Sequence, residues 1–460
     1  MIAGGGNAGL CAAITAARAG ATVCVIEAAP KDWRGGNTRH TRNMRVAHAE
    51  GNGILTGPYP VEEFMEDLMR VTAGNTNKEL ASLTLERSSE LWDYLAEQGV
   101  HYQPSLGGTL SLGRTNAFFL GGGRSMLNAL YRTAESLGVT IHYDAKITAL
   151  DIENGVFDSA EVVQGWQTDA PETITIEGRA FVAAAGGFEA NIEWLKEAWG
   201  PAAENFLIRG TPYNRGEVLR QLLDAGVASV GDAKQCHAVA IDGRAPQFDG
   251  GIVTRLDCVP FGVVLNTDGE RFYDEGEDFW PKRYAIWGRL VAAQPDQVGH
   301  VIIDSKSINL FMPSVFPPLQ ADSLGELASM IGLSEAAVEQ TIKTFNAACR
   351  GENFNHTEYD DCHTDGIEPP KTHWARPLDT PPYYAYTLKP GITFTYLGVK
   401  VDKQARMIMS DGRNSGNLFA AGEIMAGNVL GQGYLAGIGM TIGSVFGRIA
   451  GESAAAIAKN

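Results

Sequence analysis

Two glycine turns and a strand-end acid carry the first chemistry that can be read from this chain. Gly4-Gly5-Gly6-Asn7-Ala8-Gly9 spells G-x-G-x-x-G, with Gly4, Gly6 and Gly9 at the fixed places. Glycine there permits a tight turn, lets a pyrophosphate come close, and lets the next helix pack closely while its free N–H groups face the phosphates. Glu27 follows Gly9 by 18 residues at the end of a β-branched run, where a carboxylate accepts from ribose hydroxyls. Gly35-Gly36-Asn37-Thr38 adds a second glycine turn with polar side chains. Ala420-Ala421-Gly422-Glu423 repeats the pattern of strand, glycine and acid. A plain nicotinamide domain needs neither of these additions, whereas the longer FAD, with its ribityl chain, uses both. The residues point to FAD.

These turns require elements to position them. The spacing predicts a helix over Ala8–Ala19 and a strand over Ala21–Glu27, together a βαβ unit. A helix-rich middle is amphipathic over Phe64–Gly99. A helix at Ser125–Leu137, a strand at Val139–Tyr143 and a meander to Gly178 follow. Phe181–Gly187 reads as a buried strand ending in a glycine pair. Between His237 and Gly391 the α/β rhythm stops, and it resumes in the last seventy or so residues. The expectation is a Rossmann-like α/β domain over residues 1–236 and 392–460, with an α+β capping domain over 237–391. One feature is irregular. Only three residues precede Gly4, fewer than the roughly five a central strand usually has, so a start further upstream is expected.

Composition limits the partners. The chain has 460 residues and a net charge of −17, so phosphate-rich surfaces are repelled over most of its face. Its six cysteines lie far apart with no C-x-x-C, which excludes a cluster or haem centre of the usual spacing. His356, Cys362 and His363 are neighbours, but no metal spacing is satisfied. Ile424–Gly447 is uncharged and long enough to span a bilayer. Asn428, Gln432 and its many glycines argue instead for a loop that feeds a buried helix. No leader is recognisable ahead of the glycine turn, and the expectation is a reduced, cytoplasmic protein.

With those residues set out, the chain resembles the fumarate reductase/succinate dehydrogenase flavoprotein family. The likeness rests on Gly4–Gly9, Gly35–Thr38, Ala185-Gly186-Gly187-Phe188, Arg271-Phe272-Tyr273-Asp274-Glu275 and Ala421-Gly422-Glu423, in the family's order and over nearly the whole length. Within it, Arg39–Asn43, Gly210–Asn214, Gln235-Cys236-His237, Arg271–Tyr284 and Gly427–Gly431 are most similar to the tricarballylate dehydrogenase branch. The resemblance implies further cofactor contacts at Ile147, Ala185, Gly186, Gly187, Glu217, Leu435 and Ile438. It also implies a glutathione-reductase-type FAD domain with a mobile cap. Asn37 stands near where covalent members carry histidine, so non-covalent FAD is expected, with His40 close by. Two of the family's dicarboxylate anchors are replaced, by Thr393 and Tyr434.

The expected reaction removes hydride and a proton from neighbouring carbons of a polycarboxylate, tricarballylate giving cis-aconitate. Arg283 matches the family's proton-transferring arginine. An arginine is a reluctant base, so it needs a carboxylate relay, for which Glu277 and Asp278 are near in sequence. Lys282 and Tyr434 remain alternatives. Helix amides starting near Leu435 would face negative charge that develops on the flavin. A polyanion needs a locally basic pocket, and Arg34, Arg39, His40, Arg42 and Arg45 cluster beside the second turn. Arg39, His40, Arg42, His237 and Thr393 are the candidate substrate contacts. The resemblance further implies a separate membrane iron–sulfur/haem protein that takes the electrons, with this chain at the membrane's inner face. Two rivals stand: a flavoprotein for bulky rings, of ketosteroid-dehydrogenase or corrin-pathway type, and a scaffold that has lost FAD.

Overall fold

In the computed structural model the described residues are 1–105, 112–251, 254–278 and 280–459, and the side chains of residues 280–283 fall outside that description. The chain divides into two units. The first comprises Met1–Ala198, Gly210–Cys236 and Thr393–Asn460, and the second Trp199–Arg209 and His237–Ile392. The segment Trp199–Arg209, read from sequence as part of the nucleotide-binding domain, therefore belongs with the second unit. Its strand Leu207–Ile208 pairs in parallel with Gly391 and Ile392, which explains the assignment.

The first unit is built on a six-stranded sheet in the order 406–408, 414–420, 181–183, 2–3, 24–26, 140–142. All neighbours run parallel except the 406–408 edge strand. Ile2 pairs with both Val182 and Val25, so the shortest strand is the central one. Its hydrogen bonding reaches beyond two residues. The Met1 ammonium donates to the Ala180 carbonyl at 2.8 Å, and Gly4 N–H to that of Ile26 at 2.8 Å. Burial pushes the Met1 ammonium below its ordinary pKa, with the nearby Cys24 acting the other way. A three-stranded antiparallel meander over 145–177 is attached to the unit, as the sequence pattern predicts.

The Ala-rich first helix, Asn7–Arg18, lies against the last helix, Ile438–Ala458. Glycine makes that approach close. A Cβ added at Gly447 would stand 2.5 Å from the Ala8 carbonyl oxygen, and one at Gly451 2.5 Å from that of Ala12. Gly443, Gly447 and Gly451 recur every fourth residue and so share one helical face. The uncharged stretch noted in the sequence resolves into a 3-10 turn at Gly422–Asn428, a loop, and this helix. Among the described residues no helix is long and apolar enough to cross a membrane.

The second unit holds a largely antiparallel sheet in the order 207–208, 383–395, 299–304, 263–265, with strands 236–242 and 319–321 also paired to 383–395. Helices Leu324–Met330 and Glu335–Ala348 start at Ser323 and Ser334, whose hydroxyls accept from Glu326 and Ala337 amides. They cover the sheet with Leu327, Val338, Ile342 and Phe345, packed on Val263 and Ile302. A buried Arg271–Glu275 pair pins the family-like Arg271–Glu275 segment, and Lys371 Nζ donates to the Gly262 carbonyl beside it.

Candidate flavin site

The first turn is shaped for an anion. A Cβ at Gly9 would lie 1.9 Å from the Gly4 carbonyl oxygen, so no larger residue fits there. Gly4 has φ +99°, a conformation that side chains rarely tolerate. The helix begins at Gly6 with no side-chain cap, which leaves amides of its first turn for a phosphate. Asn7 gives its N–H to Thr38 Oγ1 at 3.0 Å, joining the first turn to the second. Its side chain turns inward to Met440 O and Ser444 Oγ, so Asn7 serves the site through its backbone. Ala8 and Gly9 are buried behind it.

Glu27 is buried and ties the turns together. Its carboxylate accepts from the amides of Gly5 (2.9 Å), Ala29 (2.9 Å) and Gly35 (3.3 Å). Burial raises its pKa, and those three N–H bonds oppose the shift. Two carboxylate oxygens offer about four lone-pair sites, so acceptor capacity remains for a ribose. Arg34, with its guanidinium 4.6 Å from the Tyr131 ring centre, lies on this side of the sheet.

In the second turn, Gly35-Gly36-Asn37-Thr38, the Asn37 side chain is fully engaged. Nδ2 donates to Glu189 Oε1 and to the Thr393 carbonyl, both at 2.7 Å, and Oδ1 accepts from the Thr211 amide at 2.8 Å. An amide so held supplies no nucleophilic nitrogen to a flavin, in keeping with non-covalent FAD. Thr393 thus meets Asn37 through its backbone.

The third turn brings in Glu423. Its Oε1 accepts from Thr395 N–H at 2.8 Å and Thr395 Oγ1 at 3.1 Å. A Cβ on Gly187 would sit 2.3 Å from that oxygen, and one on Gly186 2.7 Å from Asn214 Nδ2, so Gly187 makes room for the acid and Gly186 for Asn214. Sequence reasoning missed Glu189, two residues on. Fully buried, it accepts from Asn37 and from Asn214 Nδ2 (2.7 Å) and lies within hydrogen-bonding reach of Glu423. Burial, then the Glu423 charge, holds the Glu189 carboxyl well above the usual range, and burial raises Glu423 likewise. The signal was present: an acid between buried Phe188 and Ala190 needs a partner.

The last helix starts at Gly437, and its leading amides are engaged: Ile438 N–H donates to the Leu435 carbonyl at 3.0 Å and Met440 N–H to that of Gly437 at 3.2 Å. Tyr434 Oη accepts the Gly439 amide at 3.3 Å, and the Tyr434 ring lies 6.0 Å from that of Phe394. Leu435 and Ile438 are buried beside it.

The remaining sequence candidates fall elsewhere. Within the first unit, Arg39 stacks over Trp33 at 4.6 Å, and Arg42 lies 5.9 Å from the Phe118 ring. Arg45 is buried against Tyr59, Asp67 and the Ala436 carbonyl. His40 is half-buried, Ile147 is buried on the 145–153 strand, and Glu217 pairs with Lys146 at 3.0 Å. In the second unit, His237 is buried edge-on to Tyr284. Burial, then the Arg209 charge, lowers its pKa to about 3. Glu277 is exposed and accepts from Tyr273 Oη at 2.6 Å, while Asp278 accepts from Tyr359. Arg283 is a backbone position of the helix Trp280–Ala292, and its side chain, like that of Lys282, lies outside the described residues.

Comparison with known proteins agrees with this geometry. The family model described as an FAD binding domain matches residues 1–440. NADH:fumarate oxidoreductase of Klebsiella pneumoniae strain 342 is 23% identical over 99% of this chain and 47% of its own length. 3-Oxosteroid 1-dehydrogenase of Mycobacterium tuberculosis H37Rv is 26% identical over 72% of this chain and 62% of its own. The chain thus spans about half to two thirds of these relatives. Among solved structures, the open conformation of a flavocytochrome c3 fumarate reductase shares the fold at TM-score 0.75 and 21% identity, covering 100% of this chain and 78% of that one. With all three cofactor turns intact, the chain belongs to the FAD-binding-domain family of fumarate reductase-type flavoproteins, and its cofactor is FAD.

Proposed function

We propose that this chain is an FAD-dependent oxidoreductase acting on a carbon–carbon bond of a polycarboxylate, with tricarballylate, oxidised to cis-aconitate, as its substrate. The observation that carries the reading is the Tyr434 hydroxyl, which accepts the Gly439 amide in the first turn of the Ile438–Ala458 helix. FAD, when bound, supplies the hydride acceptor. The chain's own residues have three tasks: to hold the polyacid, to take the accompanying proton, and to face the negative charge that develops. The positive end of that helix serves the last of these. For the proton, Tyr434 and Arg283, relayed by Glu277, are the proposed groups. Arg39, His40, Arg42, His237 and Thr393 are the proposed polyacid contacts. The two electrons then pass to a separate iron–sulfur or haem carrier, the kind of acceptor that the family resemblance implies.

A second reading has its own observation. Phe394 and Tyr434 form an aromatic pair, and Arg39 and Arg45 are committed to partners inside their own unit. That suits a ring substrate such as a 3-ketosteroid. Anaerobic titration of the yellow holoprotein decides between the two. Bleaching by tricarballylate is expected. Bleaching by a 3-ketosteroid alone supports the second reading, and no bleaching by either removes both.

A further inference from the structure

We propose that Glu189 and Glu423 share a single proton, and that this carboxyl pair links FAD binding to pH, with Glu189 as its positioning residue. Glu189 Oε1 is occupied by two amide donors, Asn37 Nδ2 and Asn214 Nδ2. Glu189 Oε2 is buried and receives no N–H or O–H from a neighbour. The group within its reach is the Glu423 carboxyl, whose Oε1 is already held by Thr395. Two bare carboxylates in contact inside a protein repel at short range, whereas one proton between them turns that repulsion into a hydrogen bond.

Among the described residues, the groups that donate to the pair are uncharged. The pair is met by Asn37 from the turn Gly36–His40, by Asn214 from the segment after Gly210, and by Thr395 from the strand ending there, none of which titrates. Of the charged residues on those segments, Arg39 stacks over Trp33 and Arg215 lies 3.8 Å from Glu217, and His40, in the turn with Arg39, is half-buried. The titratable group that each carboxyl faces is therefore the other.

Glu423 keeps 9% of its surface exposed and Glu189 none. FAD, which the third turn would hold, would cover that remainder and would bring the negative charge of its pyrophosphate. Both effects favour the protonated pair, so binding takes up a proton and affinity falls as pH rises. This holds whichever substrate the enzyme takes, so its failure leaves the polycarboxylate reading untouched.

The test is FAD release from diluted holoprotein, read by flavin fluorescence from about pH 6 to about pH 9. The wild type should lose affinity across part of that range, approaching about tenfold per pH unit for one linked proton. Glu189→Gln gives Glu423 a permanent amide donor and should flatten the curve. A flat wild-type curve, or parallel curves for both proteins, overturns the proposal. If the variant does not fold, calorimetry of FAD binding to the wild type in two buffers of different ionisation heat decides. Net proton uptake supports the shared proton, and none refutes it.

Discussion

Tyr434 Oη lies 3.3 Å from the Gly439 amide nitrogen, so a phenol and the positive end of a 21-residue helix occupy one point. The amide donates and the oxygen accepts, so the phenol meets the helix as an acceptor. An N-terminal amide also favours negative charge on that oxygen.

Tyr434→Phe should therefore keep FAD and the fold while turnover falls on the order of 10²-fold, the usual size of a lost proton-transfer group. Steady-state rates beside the flavin absorbance spectrum check this. Unchanged turnover would reduce Tyr434 to a packing residue.

Gly9→Ala places a methyl 1.9 Å from a backbone carbonyl, an overlap that only backbone movement relieves. The purified variant should be colourless and should stay so with added FAD. Far-ultraviolet circular dichroism, in the same experiment, distinguishes loss of the site from loss of the fold.

Asn37→Ala removes one donor from Glu189, another from the Thr393 carbonyl, and the acceptor for the Thr211 amide. Leaving buried polar groups unpaired costs about 1–3 kcal/mol each. Denaturant unfolding should show a loss of that order, with weakened FAD retention. Asn37→Asp should be worse near neutral pH, because it sets a second carboxylate against Glu189.

The His237 imidazole has its pKa lowered to about 3 by burial, with the Arg209 charge adding to the effect. Below pH 6.5 the unfolded chain takes up a proton that the folded unit refuses, so stability falls as pH falls towards 3, and nothing is contributed above 6.5. The slope is about 1.4 kcal/mol per pH unit at most. Melting curves of wild type and His237→Gln should diverge only on the acid side, with the variant less acid-sensitive. Parallel curves would show that the histidine is protonated in the fold.

The nucleotide-binding half was legible because its signals are local. A glycine spacing, a β-branched strand and a terminal acid each act within a few residues, and Gly4–Gly9, Glu27 and Gly35–Thr38 lie where such signals put them. Partnership was not legible. The arginines at 34–45 were read as a cationic pocket from proximity in sequence; in the fold Arg39 also stacks on Trp33, and Arg45 meets Tyr59 and Asp67, partners that residue types alone do not announce. Glu189 was passed over because the reading stopped at the glycine pair before it. Gly443 and Gly447 were weighed only as obstacles to a membrane span. Their spacing equally marks a helix that another helix approaches closely.

That glycine-lined contact has a temporal consequence. The helix carrying the first phosphate turn rests on residues more than four hundred positions later, so a nascent chain leaving the ribosome holds half a cradle until the Ile438–Ala458 helix emerges. Loading of FAD belongs after residues 438–458 have emerged, and a chain stalled before that helix is out would be unable to turn yellow.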